Sequence, residues 1–493
     1  MPRLARLLLF LVVLLPDAFA DHGPPPAAPK RIKGGESFPP LPLPATPLRR
    51  TERKREPAPP ALIGKIRYGG TRLWTSAEGE SFLINDWESE KGDLPVLLGR
   101  VASALGTRYR FEVTDLETFS RDPDELPILY FTGHGELNLS PEQRVALREY
   151  VVQGGTILGV ACHGTPAFSV AFMQEMARVF PGRPLKPLPP DHPVYHSVYD
   201  VDQVAYSPFV KGHDDGMPYL LGIDFGCRTG VILSPLCLTC GFANVQHTQC
   251  PAWSAGDASR IGVNLIAYAL AELPLGKFLS RTKVYYESEE RARGDFVFAQ
   301  VRHGGDWDPD PSAAANLLRA VSQLTSATVK FKRASVAPSD DLTGVPFLYV
   351  TGHDDFRFTD AEAANLRAFL ESGGFLLADA CCGRQSFDAA FRREIRHVLP
   401  DRPLKPLAPD HPVFTALLNS TEVAYTPLVT RERPGLAHPE MEGVEIDGVL
   451  RILYSRYDLG NGWEGVDHPF TRGLAAPDAL KVAVNAIVYA MTH

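Results

Sequence analysis

Long apolar runs are scarce in this sequence. Past its first twenty residues no stretch is long and apolar enough to cross a bilayer, which takes roughly 20 such residues, so no transmembrane segment is expected in the mature chain. Basic charge is also in short supply: 50 Lys and Arg stand against 58 Asp and Glu, a formal net charge of −8. That balance argues against nucleic acid as a partner. Cysteine is sparse, seven in 493 residues, and none lies close behind the N-terminal apolar segment. A lipid anchor of the bacterial lipoprotein kind is therefore not expected. No cofactor is expected either.

The chain opens "MPRLARLLLFLVVLLPDAFADHG", with Arg3 and Arg6 as a basic head, Leu7 to Leu15 as an apolar core, and Ala18-Phe19-Ala20 as a small-residue cleavage site. This pattern predicts a secretory signal peptide over residues 1–20 and an exported protein, periplasmic or secreted. Residues 21–62 are a different material: "DHGPPPAAPK", "PPLPLPATP" and "RRTERKRE" form a proline-rich basic linker that cannot pack a core and is expected to be disordered. What remains exceeds one ordinary core, so two domains are expected.

Those domains are two copies of one pattern. "LPILYFTGHGELNLSPEQRVALREYVVQGGTILGVACHG" aligns without gaps on "VPFLYVTGHDDFRFTDAEAANLRAFLESGGFLLADACCG", and "FPGRPLKPLPPDHPVY" on "LPDRPLKPLAPDHPVF", at a spacing of 219 residues. Copy one spans about 63–275 and copy two 281–493. Within each copy short apolar runs alternate with helical patterns. Ser140-Pro141-Glu142-Gln143 predicts a capped helix start with a capping-box Gln, and Gly154-Gly155 its end; Thr359, Glu362 and Gly373-Gly374 repeat the device. Strand, helix, strand, helix at this spacing predicts an α/β fold, a parallel sheet with helices on both faces.

In such a sheet, sites form at the carboxyl ends of strands. His134 ends "YFTGH" and Cys162 ends the next strand; His353 and Cys381 are their counterparts. A thiol beside an imidazole is the arrangement that yields a thiolate near neutral pH. Backbone amides after Cys162 would bind a developing oxyanion. Gly133, Gly135 and Gly164, with Gly352 as the counterpart of Gly133, are candidate binding positions that leave room for a substrate carbonyl. Asp191-His192-Pro193 and Asp410-His411-Pro412 read as loop-fixing turns, with a catalytic role for either histidine as the alternative.

The "VACHG" turn resembles the elbow of class I glutamine amidotransferases, and still more the "CHG" turn of the Parkinsonism-protein/intracellular-protease superfamily. The resemblance implies Cys162 as nucleophile and His163 as its assistant; copy two has Cys382 in place of His163. "GVDHPF", with His468, is similar to the late His segment of the amidotransferases, and His247 is its counterpart. Taken whole, both copies resemble the bacterial family catalogued as domain of unknown function 4159, on "IRYGGTRLW", "DWESEKGDLPVLLGRV", "FPGRPLKPLPPDHPVY" and "VNAIVYAMTH". That resemblance implies two tandem flavodoxin-like, class I glutamine amidotransferase-like three-layer domains with parallel sheets. It also implies the company of envelope proteins of the von Willebrand A type and of MoxR-type ATPases.

Cys227, Cys237, Cys240 and Cys250 all lie in copy one, where copy two has Asp458 for Cys237 and Asn461 for Cys240. Residues absent together suggest partners, and in an oxidising compartment four cysteines predict two disulfides. A zinc site of three of them with His247 is the alternative. The expected function is a non-catalytic ligand- or partner-binding scaffold of the cell envelope. Its rival is a cysteine-dependent hydrolase or amidase in copy one, with Cys162 attacking and His134 or His163 taking the proton.

Overall fold

Ile128–Gly133 and Thr156–Ala161 are buried along their whole length and pair in parallel, Gly133 opposite Ala161. A parallel strand covered on both faces has no polar side to show, which is why each reads as an unbroken apolar run. They are called here the histidine strand and the elbow strand. Phe347–Gly352 and Phe375–Ala380 repeat the pair in copy two. The computed structural model describes residues 59–75, 79–88, 90–213, 215–245, 249–281, 296–325 and 330–493. The expected signal peptide, nearly all of the expected linker and His247 lie outside the described residues.

Each copy forms a seven-stranded sheet. In copy one the order is Arg110–Asp115, Ala61–Arg67, Ile128–Gly133, Thr156–Ala161, Arg228–Ser234, Leu221–Phe225, Lys186–Pro187. The first five are parallel and the last two antiparallel. The all-parallel sheet expected from the sequence is thus corrected to a mixed one. The reason is local: a tight hairpin at Gly226-Cys227, with Gly226 at φ 63, returns the chain beside its neighbour and leaves no room for a crossover helix. Copy two repeats this order strand for strand.

By chain position the parallel five run second, first, third, fourth, fifth, the order of a doubly wound sheet. Helices Asp93–Leu105 and Ala255–Arg281 cover one face of copy one, and Pro141–Val152 and Pro166–Val179 the other. Both capping boxes form, Ser140 with Gln143 and Thr359 with Glu362. The helix Ala255–Arg281 runs across the boundary drawn at 275–281. Against the expectation of no such stretch, it is long and apolar enough by length and composition to span a membrane. Its Ile261, Leu265, Ile266 and Ala269 pack into the copy-one core.

The copies pack against each other within one unit, Ala58–His493. Asp191 of copy one accepts from the Gln385 N–H at 2.9 Å, so it caps the first turn of the copy-two helix Gln385–Val398. Lys186 pairs with Asp354 at 2.8 Å, and Tyr268 stacks on Phe470 at 5.6 Å between ring centroids.

Candidate functional site: two strand-end clusters

The switch point of a doubly wound sheet lies between its first and third strands, where the following loops part and leave a crevice. Asp86 follows the first strand of copy one and His134 the third. The Asp86 carboxylate accepts from the N–H groups of His134 (2.9 Å) and Gly135 (2.7 Å), and its other oxygen meets His134 Nδ1 at 3.1 Å. Burial alone would raise this carboxyl, but the hydrogen bonds from His134 and Gly135 outweigh it and hold it at about 2. Copy two repeats the device: Asp306 accepts from the N–H groups of His353 and Asp354 at 2.8 and 2.9 Å and meets His353 Nδ1 at 2.5 Å. The opposing charge and hydrogen bond of His353 overcome burial there and hold Asp306 at about 2 as well.

Neither carboxylate was singled out in the sequence. The signal was present as a repeated Asp-Trp, Asp86-Trp87 and Asp306-Trp307. In copy one an inserted hairpin, Thr71–Thr75 with Ser81–Asn85, separates it from the strand it serves.

Gly133, Gly135 and Gly352, expected as binding positions, lie against these acids. A Cβ on Gly133 would stand 2.1 Å from Tyr68 Oη and 2.8 Å from Asp86 Oδ2, and one on Gly135 3.2 Å from Asp86 Oδ2. On Gly352 it would meet the Asp306 carbonyl oxygen at 2.9 Å. The space is filled by the chain's own acid.

The left-handed residue of the elbow is the one after Cys162. Cys162 ends its strand as a buried side chain, 1% exposed, and the left-handed residue of the turn is His163, at φ 54. In copy two the left-handed residue is Cys382, also at φ 54, after a buried Cys381. A glycine follows each, Gly164 at φ 60 and Gly383 at φ 68. A Cβ on Gly164 would lie 2.5 Å from the Pro251 carbonyl oxygen, so its place in the turn belongs to glycine on two counts.

In copy one His134 Nε2 lies 3.1 Å from His163 Nδ1, and Cys162 is within 4.8 Å of both imidazoles. Thr239 donates to Cys162 Sγ at 3.5 Å, on the side where Cys237, Cys240 and Cys250 form a buried group. The thiols of Cys162, Cys240 and Cys250 hold Cys237 well below its ordinary range. Where copy two has Asp458 and Asn461, oxygen and nitrogen replace sulfur: Asn461 N–H donates to Asp458 at 2.8 Å, and its amide donates to Thr471 Oγ1 at 2.8 Å.

All seven cysteines are free thiols, and the expected set of four is divided. Cys237 and Cys240 stand 3.2 Å apart, whereas Cys227, on its hairpin tip, crosses into copy two and stands 3.3 Å from Cys381 Sγ. A bonded pair needs about 2.05 Å. The set divides because a hairpin tip points away from the sheet that carries it, here into the neighbouring copy.

Around that tip gathers the densest group of reactive side chains among the described residues. Cys227, His353, Cys381 and Cys382 present ligand atoms within 4.8 Å of one another. Cys227 donates to Asp310 at 3.1 Å and Cys381 to the same carboxylate at 3.4 Å. His468, which the sequence marked only through its "HPF" segment, is buried here, with Nε2 3.0 Å from Glu464. Hydrogen bonds from Cys227 and Cys381 hold the Cys382 thiol well below its ordinary range, burial opposing them and His353 and His468 adding to them. The Cys382 N–H is taken by the Asp458 carboxylate. Beside the cluster a groove of about 610 Å³ opens between the copies, with Arg183, Lys186, Asp306 and Asp354 in its wall.

His192 and His411 take structural places. His192 is buried, accepts from the Val194 N–H at 3.1 Å and meets Thr229 Oγ1 at 2.8 Å; burial pushes its imidazole well below the ordinary range. His411 accepts from the Val413 N–H at 3.1 Å.

No curated protein matches the chain. Residues 65–270 and 297–491 each match the family described as Domain of unknown function (DUF4159), and the chain, with that domain present twice, belongs to this family.

Proposed function

We propose that this is an exported, non-catalytic binding or scaffolding protein of the cell envelope, built from two flavodoxin-type domains of the class I glutamine amidotransferase-like kind. One observation carries the reading. The strand-end hollow of copy two is filled by a loop of polypeptide, the Cys227 hairpin tip of copy one, 3.3 Å from Cys381. A hollow that receives a protein loop within the chain is a template for receiving one from a partner. At the matching strand ends of copy one, His134, Gly135 and His163 are only partly covered.

The hydrolase alternative placed its site in copy one, with Cys162 attacking. There the thiol is buried and the elbow position carries His163. The Cys–His–Asp set such chemistry needs stands instead in copy two, as Cys382, His353 and Asp306, under the hairpin plug and with the Cys382 amide already bonded to Asp458. Iodoacetamide labelling of the folded full chain, read residue by residue by mass spectrometry, tests the reading. Binding without catalysis predicts that Cys162 and Cys382 stay unlabelled until the chain unfolds. Rapid labelling of either well below pH 8 would establish an accessible thiolate and favour the hydrolase.

A further inference from the structure

We propose that Cys227, Cys381, Cys382 and His353 form a metal site at the seam between the copies, taking a thiolate-preferring divalent ion, zinc first among them. The spacing fits. In a tetrahedral zinc site, with Zn–S about 2.3 Å and Zn–N about 2.0 Å, neighbouring ligand atoms stand roughly 3.5–4 Å apart. The two nearest sulfurs here are 3.3 Å apart, and all four ligand atoms lie within 4.8 Å of one another.

The imidazole is prepared for the role. Asp306 meets His353 Nδ1 at 2.5 Å, which fixes the ring's orientation and presents Nε2 as the ligand atom. That Nε2 is buried with no oxygen or nitrogen partner, and the group it acts on is the Cys382 thiol. A buried imidazole nitrogen needs a strong partner, and a metal ion held together with the thiolates supplies one. His468 Nδ1 is likewise buried with no oxygen or nitrogen partner, and His468 too acts on the Cys382 thiol. The Asp310 carboxyl lies 3.1 and 3.4 Å from two of the sulfurs, within hydrogen-bond reach of the ligand set.

The donors converge from three separate segments: the copy-one hairpin, the end of the copy-two histidine strand and the copy-two elbow. The hairpin itself does not require a thiol, since its counterpart tip in copy two is Asp447-Gly448. The left-handed Cys382 lets two successive side chains reach one point. Three sulfurs and one nitrogen favour zinc over hard, oxygen-seeking cations such as magnesium. Four protein donors also make a closed site, which is structural in kind. Binding releases the thiol protons to solvent and changes no oxidation state. The ion would clamp copy one to copy two, whether or not the copy-one hollow receives a partner.

The test uses the full chain, reduced, loaded with zinc and freed of excess, with metal counted by mass spectrometry of the element. Cys227→Ser and His353→Ala should each carry one equivalent less than the parent. Cys250→Ser, in the separate copy-one thiol group, should keep the seam equivalent. Loading with cobalt should give the parent tetrahedral visible bands and thiolate charge-transfer absorption that Cys227→Ser loses or weakens. Should a variant fail to fold, the parent's cobalt spectrum and metal count still decide. Equal metal in the parent and Cys227→Ser, a parent that binds no zinc or cobalt, or an octahedral cobalt spectrum would each overturn the site. So would a Cys227–Cys381 disulfide in the parent that survives equilibration with reduced glutathione and zinc.

Discussion

Asp191 of the first copy accepts a hydrogen bond from the backbone N–H of Gln385 in the second, at 2.9 Å. A helix start is capped by a residue almost two hundred positions away, so the end of that helix is complete only when the copies are docked. Asp191→Ala should cost about 1 kcal/mol, the ordinary value of a lost cap. Lys186→Ala removes an ion pair whose side chains are 58% and 36% exposed, and should cost under about 0.5 kcal/mol. Urea denaturation of the two variants should rank them in that order; equal costs would mean the cap does not form.

Gly164 offers a test of the elbow. Gly164→Ala must hold φ 60 with a side chain and press a Cβ within 2.5 Å of the Pro251 carbonyl oxygen. The left-handed conformation costs about 1 kcal/mol and the clash should bring the total to roughly 3 kcal/mol. Gly182→Ala has φ 81 with nothing within 4 Å, and should show the conformational cost alone. Denaturation midpoints of the pair measure the difference.

Asp86 carries a pH signature. Its folded carboxyl is held at about 2 against an ordinary 3.8, so it stabilises the fold fully above pH 3.8 and progressively less as pH falls towards 2. The gap corresponds to about 2 kcal/mol. Asp86→Asn should therefore be less stable than the parent by about that amount near pH 6, and the gap should close between about pH 4 and 2. A gap independent of pH would show that the charge of Asp86 contributes nothing.

How much of this was legible in the sequence follows from where each contact is encoded. The repeat, the capping boxes at Ser140 and Thr359 and the neighbouring rails of His134 and Cys162 depend on patterns within one copy, and those patterns are readable. Asp86 and Asp306 were passed over because an inserted hairpin shifts one of them away from its strand. That His163 and not Cys162 takes the left-handed place is decided by the geometry after the strand, because neither His nor Cys is a habitual left-handed residue. Cys227 went with the wrong partners because its contacts lie in the other copy, and no periodicity within one copy reports on docking between two.

The claim on which the account rests is that the Cys227 tip sits in the copy-two hollow. Oxidation of the reduced full chain by diamide, with EDTA present to remove metal, followed by non-reducing peptide mapping, tests it directly. The account predicts a disulfide joining the Cys227 peptide to the peptide carrying Cys381 and Cys382. A Cys227 that stays uncoupled and alkylates like a free surface thiol would contradict it.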